Sequence, residues 1–185
     1  MAVQLLRHLF TVEEYYRMAQ AGIFSEDDRV ELIEGEIVEM SPIGSRHAAC
    51  VARLNRLFSQ RVGGRAIVRV QNPIRLSEHS EPQPDLALLR PREDFYAQGH
   101  PRPEDVLLIV EVADTTEDFD REIKVPLYAR TGIPEVWVVV LADEHIEVYR
   151  RPTPQGYRER QTLRRGQRLT PQSLPDLELV VEAVL

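Results

Sequence analysis

The chain has 185 residues, of which 43% are hydrophobic, and its formal net charge is −7. This length can bury one sizeable core, so we predict a single domain over residues 1–185, and no apolar run approaches the roughly 20 residues of a bilayer-spanning helix. We therefore expect a cytoplasmic protein with no membrane partner, and the acidic balance argues against a chain that coats nucleic acid through its overall field.

The first predicted element is a short helix that follows Thr11. Thr11 and Glu14 fit a capping box, in which the hydroxyl and the carboxylate satisfy exposed amides at the start of a helix. We predict that this helix runs to about Ala21. The segment 30–40 then predicts two short strands joined at Gly35, because glycine supplies the positive φ of a tight turn.

A longer helix is predicted over residues 45–62. Its apolar residues recur at helical spacing, and Gly63 and Gly64 follow as a stop signal: Ala48, Val51, Leu54, Leu57, Phe58 and Val62. Cys50, the single cysteine, can form no internal disulfide and is predicted to be a core residue of this helix. The other face is basic and is either solvated or in contact with phosphates: Arg46, Arg53, Arg56 and Arg61.

The remaining chain predicts a mixed β-sheet. Strand patterns follow at 66–70, 73–76, 85–90, 106–112, 135–141 and 145–150, with weaker ones near 156–163 and 177–181. The continuous apolar run at 106–112 is typical of a central strand covered on both faces. A helix is predicted at roughly 118–130, in which Pro126 either causes a kink or lies in the first turn. These patterns indicate a mixed α/β fold, with helices flanking a central mixed sheet.

Two carboxylates converge on this apolar sheet. Asp85 opens one strand, and alternation places Glu111 on the same face as Leu107, Ile109 and Ala113. An isolated carboxylate there would cost several kcal/mol unless it is protonated, paired or bound to a metal. The spacing leaves two interpretations open, a Mg²⁺ site or a structural salt bridge with an arginine.

Lys124 is the only lysine among 23 basic residues. Arginine replaces lysine poorly where chemistry needs a compact ammonium group, and a helix folding back from the central strand would bring Lys124 beside the two carboxylates. The alternative is a surface ion pair with Asp120 at i,i+4 spacing. We expect Asp114, Asp118 and Asp120 to cap or surround this helix rather than to bind metal.

Three blocks of the sequence resemble the Uma2 family, also called DUF820, a branch of the PD-(D/E)XK endonuclease-like superfamily. The blocks are VELIEGEIVEMSPIGSRH, PQPDLALL and LLIVEVADTTEDFDREIKVPLYARTGIPEVWVV. The resemblance implies a restriction-endonuclease-like core in which Asp85 and Glu111 are metal ligands and the backbone carbonyl of Val112 is a further ligand. It also implies that Glu31 is the upstream acidic member of the site and that Lys124 is the catalytic lysine.

The chain departs from the superfamily pattern at Ala113, where the common motif has lysine two residues after the acidic residue. The resemblance implies that this lysine has migrated to Lys124. His47, in the SRH part of the first block, could contact a phosphate or assist proton transfer, with Arg46 beside it, or could be a hydrogen-bonded structural residue. No role is predicted for His79, His100 or His145, which are expected in loops or an exposed strand, and Trp137 is expected in the core or at a subunit interface.

The hypothesis that follows is metal-assisted hydrolysis of phosphodiester bonds. Mg²⁺, with Mn²⁺ as a substitute, would serve as the cofactor, and the expected partner is nucleic acid, in particular DNA. A homodimer is expected because duplex cleavage usually needs two active sites. Two alternatives stay open: a catalytically inactive module that binds nucleic acid or a protein, and a phosphoesterase that acts on small nucleotides.

Overall fold

The computed structural model describes residues 6–25 and 27–185. Its helices are α1 (Val12–Gln20), α2 (Ser45–Arg61), α3 (Glu117–Phe119) and α4 (Val125–Arg130), and a π-helical turn (Asp120–Lys124) joins α3 to α4. Short 3-10 turns lie at Gly63–Arg65, Pro103–Asp105 and Val181–Ala183. Within the described part of the chain, no helix is long and apolar enough to cross a membrane.

The strands form one large sheet and two small ones. They are β1 (Val30–Ile33), β2 (Glu36–Glu39), β3 (Ile67–Val70), β4 (Leu86–Leu89), β5 (Val106–Ala113), β6 (Glu135–Val140), β7 (His145–Thr153), β8 (Gly156–Arg164), β9 (Arg168–Leu169) and β10 (Leu179–Val180). The large sheet has the order β3-β4-β5-β6-β7-β8 and is antiparallel except for the parallel pair β5 and β6. β1 pairs with β2, and β9 pairs with β10. The predicted mixed sheet is confirmed.

Both faces of the large sheet are covered, and each has its own apolar core. On one face α2 packs Cys50, Leu54 and Phe58 against the sheet, and on the other face α4 packs Val125 and Leu127. All eight residues of β5 are buried, as expected for a central strand. Burying each large aliphatic or aromatic side chain contributes about 1.5–3 kcal/mol, so the two cores fix the positions of β4 and β5 firmly.

Two local sequence signals produce the structure that they predict. Thr11 and Glu14 form the capping box of α1, and the Glu14 amide donates to the Thr11 hydroxyl at 3.2 Å. Gly35 turns the chain between β1 and β2 with φ +81°, and a Cβ there would lie 2.6 Å from the Cβ of Leu9. Any larger residue at this position would strain the turn and collide with the segment that precedes α1.

Several predicted elements differ from the structure. Residues 73–76 form no strand, because the Ile74 and Leu76 amides bond to Pro82 and Ser80 within a local loop rather than to the sheet. Ala48 faces solvent although it matches the helical period of α2. The strand predicted near 177–181 is reduced to the two residues of β10.

The predicted strand alternation fails at Leu107. The register between β4 and β5 shifts between Leu88 and Leu89, so that Leu88 pairs with Leu108 while Leu89 pairs with Val106. This irregularity moves Leu107 into the core on the side of α2, whereas Ile109 and Ala113 belong to the core on the side of α4. The prediction for Leu107 was therefore wrong.

Candidate active site

A cavity of about 500 Å³ opens where the β1–β2 hairpin and the first turn of α2 meet the π-helical turn. Its lining includes residues at the start of β4 and near the end of β5. Five of the residues predicted for the site line this cavity together: Glu31, His47, Asp85, Glu111 and Lys124.

Asp85 and Glu111 meet because of the register of two neighbouring strands. Leu86 of β4 pairs with Val110 of β5, so that Asp85 lies beside Glu111 on the adjacent strand. The Asp85 amide donates to Glu111 Oε2 at 3.3 Å, and the Val112 amide donates to Asp85 Oδ2 at 2.9 Å. The backbone of Val112 is therefore part of the same cluster.

Lys124 is buried between two carboxylates. Its Nζ lies 3.2 Å from Glu31 Oε1 and 3.4 Å from Glu111 Oε1, and only 5% of the residue is exposed. Burial alone would lower the pKa of Lys124, but the charges of Glu111 and Glu31 outweigh it and raise the pKa above its usual value. The lysine therefore stays an ammonium ion at neutral pH, and it is not the surface residue of the alternative interpretation.

The π-helical turn gives Lys124 this position. The Val125 amide bonds to the Asp120 carbonyl, an i→i−5 bond that holds one more residue per turn than an α-helix does. Pro126, the second residue of α4, has no N–H and can donate no hydrogen bond back to the π-helical turn. The wider turn directs both Asp120 and Lys124 into the cavity lining.

Two of the buried carboxyl groups bind protons more tightly than usual. Burial raises the pKa of Glu111 to about 8, although Lys124 and the hydroxyl of Tyr128, which donates to Glu111 Oε1 at 2.6 Å, act in the other direction. Burial also raises the pKa of Asp120 to about 6, against the effects of Lys124 and of Thr116. Ionising these two carboxyl groups is therefore costly as long as no further cation shares the cavity.

His47 lies at the cavity and contacts Asp85, whereas Arg46 points elsewhere. His47 Nε2 lies 2.9 Å from Asp85 Oδ2, and this hydrogen bond raises the pKa of His47 in spite of burial. His47 Nδ1 is buried without a hydrogen-bond partner among the described residues. Arg46 is absent from the cavity lining; it donates to the Leu141 carbonyl at 2.8 Å and lies 3.7 Å from Asp114.

The remaining histidines and the tryptophan lie outside the cavity. His79 bonds to the Phe10 carbonyl, and His100 stacks on Tyr16. His145 is only 6% exposed, so the expectation that it lies in a loop or an exposed strand was wrong. Trp137 is fully buried, which confirms the expectation of a core residue.

The charges that line the cavity suit a divalent cation. Seven carboxyl groups line the cavity in the described chain, together with the basic side chains of Arg29, His47 and Lys124: Glu31, Glu39, Asp85, Glu111, Asp114, Asp118 and Asp120. Hard cations such as Mg²⁺ take oxygen ligands, which these carboxyl groups supply when they release their protons. Over residues 6–25 and 27–185, however, no three His, Cys, Asp or Glu side chains already stand together as a metal site.

Four residues of the cluster were not found by reasoning from the sequence. Tyr128 and Asp120 are described above, the Gln83 amide donates to Glu31 Oε2 at 3.0 Å, and Gln71 Nε2 lies 3.3 Å from Asp85 Oδ1. The i,i+4 spacing of Asp120 and Lys124 was the one available signal, and it supported only the alternative interpretation of a surface pair. The other three follow only from the folded positions of loops and helices.

The family is decided by comparison with known proteins. A family model described as "Putative restriction endonuclease" matches residues 12–182 of the chain. The chain belongs to the Uma2 family. This result confirms the resemblance seen in the three sequence blocks, and the description of Uma2 indicates nuclease chemistry. Restriction-endonuclease-like proteins generally use divalent metals.

A solved structure shares the fold of this Uma2 chain. It is a crystal structure described as that of "a putative nuclease belonging to DUF820 from Anabaena variabilis". The TM-score is 0.72 at 16% identity, with 95% of this chain and 97% of the other covered. At this identity the likeness shows the fold, and the predicted restriction-endonuclease-like core is confirmed. The comparison with curated proteins gave no match.

Proposed function

We propose that this protein is a metal-dependent endonuclease that hydrolyses phosphodiester bonds of DNA with Mg²⁺. The observation that carries the proposal is the floor of the cavity, where the buried ammonium group of Lys124 lies 3.2 Å from Glu31 and 3.4 Å from Glu111, with Asp85 in the same lining. The family description and the nuclease named for the solved structure support the same chemistry.

Each residue of the floor has a proposed role. Asp85 and Glu111 would hold the cation, with the carbonyl of Val112 as a further ligand. The bound cation would acidify a water molecule and neutralise charge on the phosphate. Lys124 stays protonated, so it would stabilise the charge that develops on the phosphate rather than accept a proton. Glu31 would hold the ammonium in place through the 3.2 Å contact.

One observation favours a second candidate, a module that binds without cleavage. Lys124 already pairs with Glu31 and Glu111, and His47 already bonds to Asp85. The floor therefore has internal partners that a cation would have to displace in part.

Cleavage of supercoiled plasmid with Mg²⁺, Mn²⁺ or EDTA tests the proposal. We expect nicking that needs metal and that falls at least a hundredfold in Asp85→Asn, Glu111→Gln and Lys124→Met, because each change removes charge from the reacting site. Asp176→Asn is a matched control, since its side chain is 88% exposed. Inert wild-type protein that still binds nucleic acid without metal would support the binding module. Turnover of a small phosphodiester alone would support the small-nucleotide enzyme.

A further inference from the structure

The cavity has an apolar wall that the chemistry of its floor does not use. Five apolar side chains line it from two separate parts of the chain: Val38, Met40, Pro42, Ile43 and Phe119. Ile43 is 43% exposed, and Phe119 is partly buried. Apolar side chains left accessible beside a polar floor indicate a ligand that has both an apolar face and a charged group.

Phe119 joins this wall to the floor. The centroid of its ring lies 5.9 Å from Lys124 Nζ. A planar group that packs on Phe119 would therefore carry its attached phosphate close to the ammonium group. A nucleotide has this arrangement, and base–aromatic stacking accepts any base because every base has a π-face.

The depth of the site limits which nucleic acids can reach it. Glu31 and Glu111 are each 2% exposed, and Lys124 is 5% exposed. A scissile phosphate must therefore enter the cavity rather than touch a flat surface. A flexible single strand can bend to place one phosphate at this depth, whereas a duplex carries its phosphates on a stiff rod.

The charges of the cavity lining also disfavour a duplex. Proteins that bind a duplex backbone do so mainly through lysine and arginine contacts to phosphates. In the described chain this cavity offers Arg29, His47 and Lys124 against seven carboxyl groups; Arg29 already donates to the Ser41 carbonyl at 3.0 Å, and His47 is bonded to Asp85. Binding at the cavity must therefore draw on contacts other than those to the phosphate backbone.

We propose that the apolar wall receives an unpaired nucleobase stacked on Phe119, and that the substrate is single-stranded or locally unpaired nucleic acid. This inference rests on the proposed nuclease function, and it adds the substrate class. The volume of the cavity, about 500 Å³, falls within the range of small-ligand sites. One nucleotide is a ligand of this size.

The test compares matched oligonucleotides in single-stranded, fully paired and bubble form, each with 2-aminopurine at one position. Binding is followed in Ca²⁺ by the fluorescence of the stacked base, and cleavage is followed in Mg²⁺. We expect the single strand and the bubble to be bound and cut at least about tenfold better than the duplex. Phe119→Leu should weaken both by roughly five- to hundredfold, the range that stacking on an aromatic ring supplies.

Phe95→Leu is the matched control, because Phe95 is 69% exposed and lies outside the cavity lining. An abasic nucleotide at the probed position tests the same contact in the wild-type protein, without a variant. If the duplex is cut in a metal-dependent way and neither Phe119→Leu nor the abasic nucleotide changes the rate, the inference is overturned and the proposed nuclease function stands. Quenching that depends on Phe119, without cleavage of any substrate, would keep the base site and overturn the nuclease.

Discussion

At the scale of single residues, Glu111 links stability to function. Its pKa of about 8 exceeds the ordinary value of 4.5, so the folded protein keeps a proton that the unfolded chain releases between these values. The metal-free protein therefore loses stability as the pH rises from about 4.5 to about 8. We expect Glu111→Gln to be more stable than the wild type by roughly 1–3 kcal/mol above about pH 8. Urea denaturation with EDTA measures the difference.

The difference should shrink toward about pH 4.5, where the wild-type carboxyl is protonated in both states. Glu36→Gln is a control for the same chemical change at the surface, because the Glu36 side chain is 56% exposed. A Glu111→Gln protein that is less stable than the wild type at high pH would show that the carboxylate stabilises the metal-free fold.

Tyr128 is expected to position Glu111 for the cation. Its hydroxyl donates to Glu111 Oε1 at 2.6 Å from α4, and neighbours that orient a ligand typically contribute about 10- to 100-fold to metal affinity. Tyr128→Phe should weaken Mn²⁺ binding by about tenfold while the fold persists, as measured by calorimetric titration. Tyr157→Phe is the matched control, because its hydroxyl donates to the Ile133 carbonyl at 2.7 Å and is outside the cavity. Equal Mn²⁺ affinity in the two variants would refute this role.

At the scale of elements, β7 anchors the π-helical turn. Arg121 of this turn donates to the buried carboxylate of Glu147 at 2.7 Å, and Arg160 and Tyr149 also donate to Glu147. Burial would raise the pKa of Glu147, but these hydrogen bonds outweigh it and lower the pKa to about 2. The anchor thus depends on an ionised carboxylate.

Glu147→Gln should therefore destabilise the protein by roughly 2 kcal/mol at neutral pH, because it leaves Arg121 with a weaker partner. A lowered carboxyl pKa contributes stability above the unfolded value, and that contribution is lost as the pH falls toward about 2. The gap between variant and wild type should therefore close between about pH 4.5 and 2. Denaturation midpoints across this range provide the measurement, and a gap independent of pH would argue against the charged anchor.

Periodicity and motif spacing predicted the elements that follow simple rules. The helix α2, the central strand β5 and the hairpin at Gly35 are recoverable because burial imposes a regular pattern on the chain. The loop at 73–76 is not recoverable from the sequence, because its apolar residues are buried by packing against the sheet rather than by pairing within it. The π-helical turn also escapes prediction, since its hydrogen bonds depend on where the neighbouring helices pack.

The candidate site divides in the same way. Asp85, Glu111 and Lys124 stand in sequence blocks that resemble a family, so they could be named in advance. Tyr128 could not, because its contact with Glu111 exists only after α4 has folded back over the sheet. The spacing of Asp120 to Lys124 was visible in the sequence, but the burial of both side chains was not. A contact between residues far apart in the chain produces no spacing pattern in a single sequence.

At the scale of the whole molecule, bound metal should stabilise the fold. At a metal concentration about 100 times the Kd, binding contributes about 2.7 kcal/mol, or roughly 5–10 °C in Tm for a chain of this size. We expect such a shift with Mn²⁺ or Ca²⁺ in thermal denaturation, and we expect Asp85→Asn to lose it. Equal shifts in both proteins would place the bound metal elsewhere.

The expected homodimer rests on cleavage of both strands of a duplex. The base site at Phe119 removes that reason, because one active site is sufficient for an unpaired strand. Sedimentation of the 21.3 kDa chain, with and without oligonucleotide, measures which stoichiometry holds. A stable dimer that cuts duplex DNA would favour the earlier expectation over the base site.

The burial of Lys124 also determines how the protein can be chemically labelled. A chain of these 185 residues has one lysine, so its amino groups are that buried, protonated side chain and the terminal α-amine. Amine-reactive dyes and resins should couple at the terminal amine alone, which gives one defined attachment point and leaves Lys124 unmodified. Dye that reaches Lys124 would instead report that the helix carrying it has opened, so a routine labelling reaction becomes an assay of local unfolding.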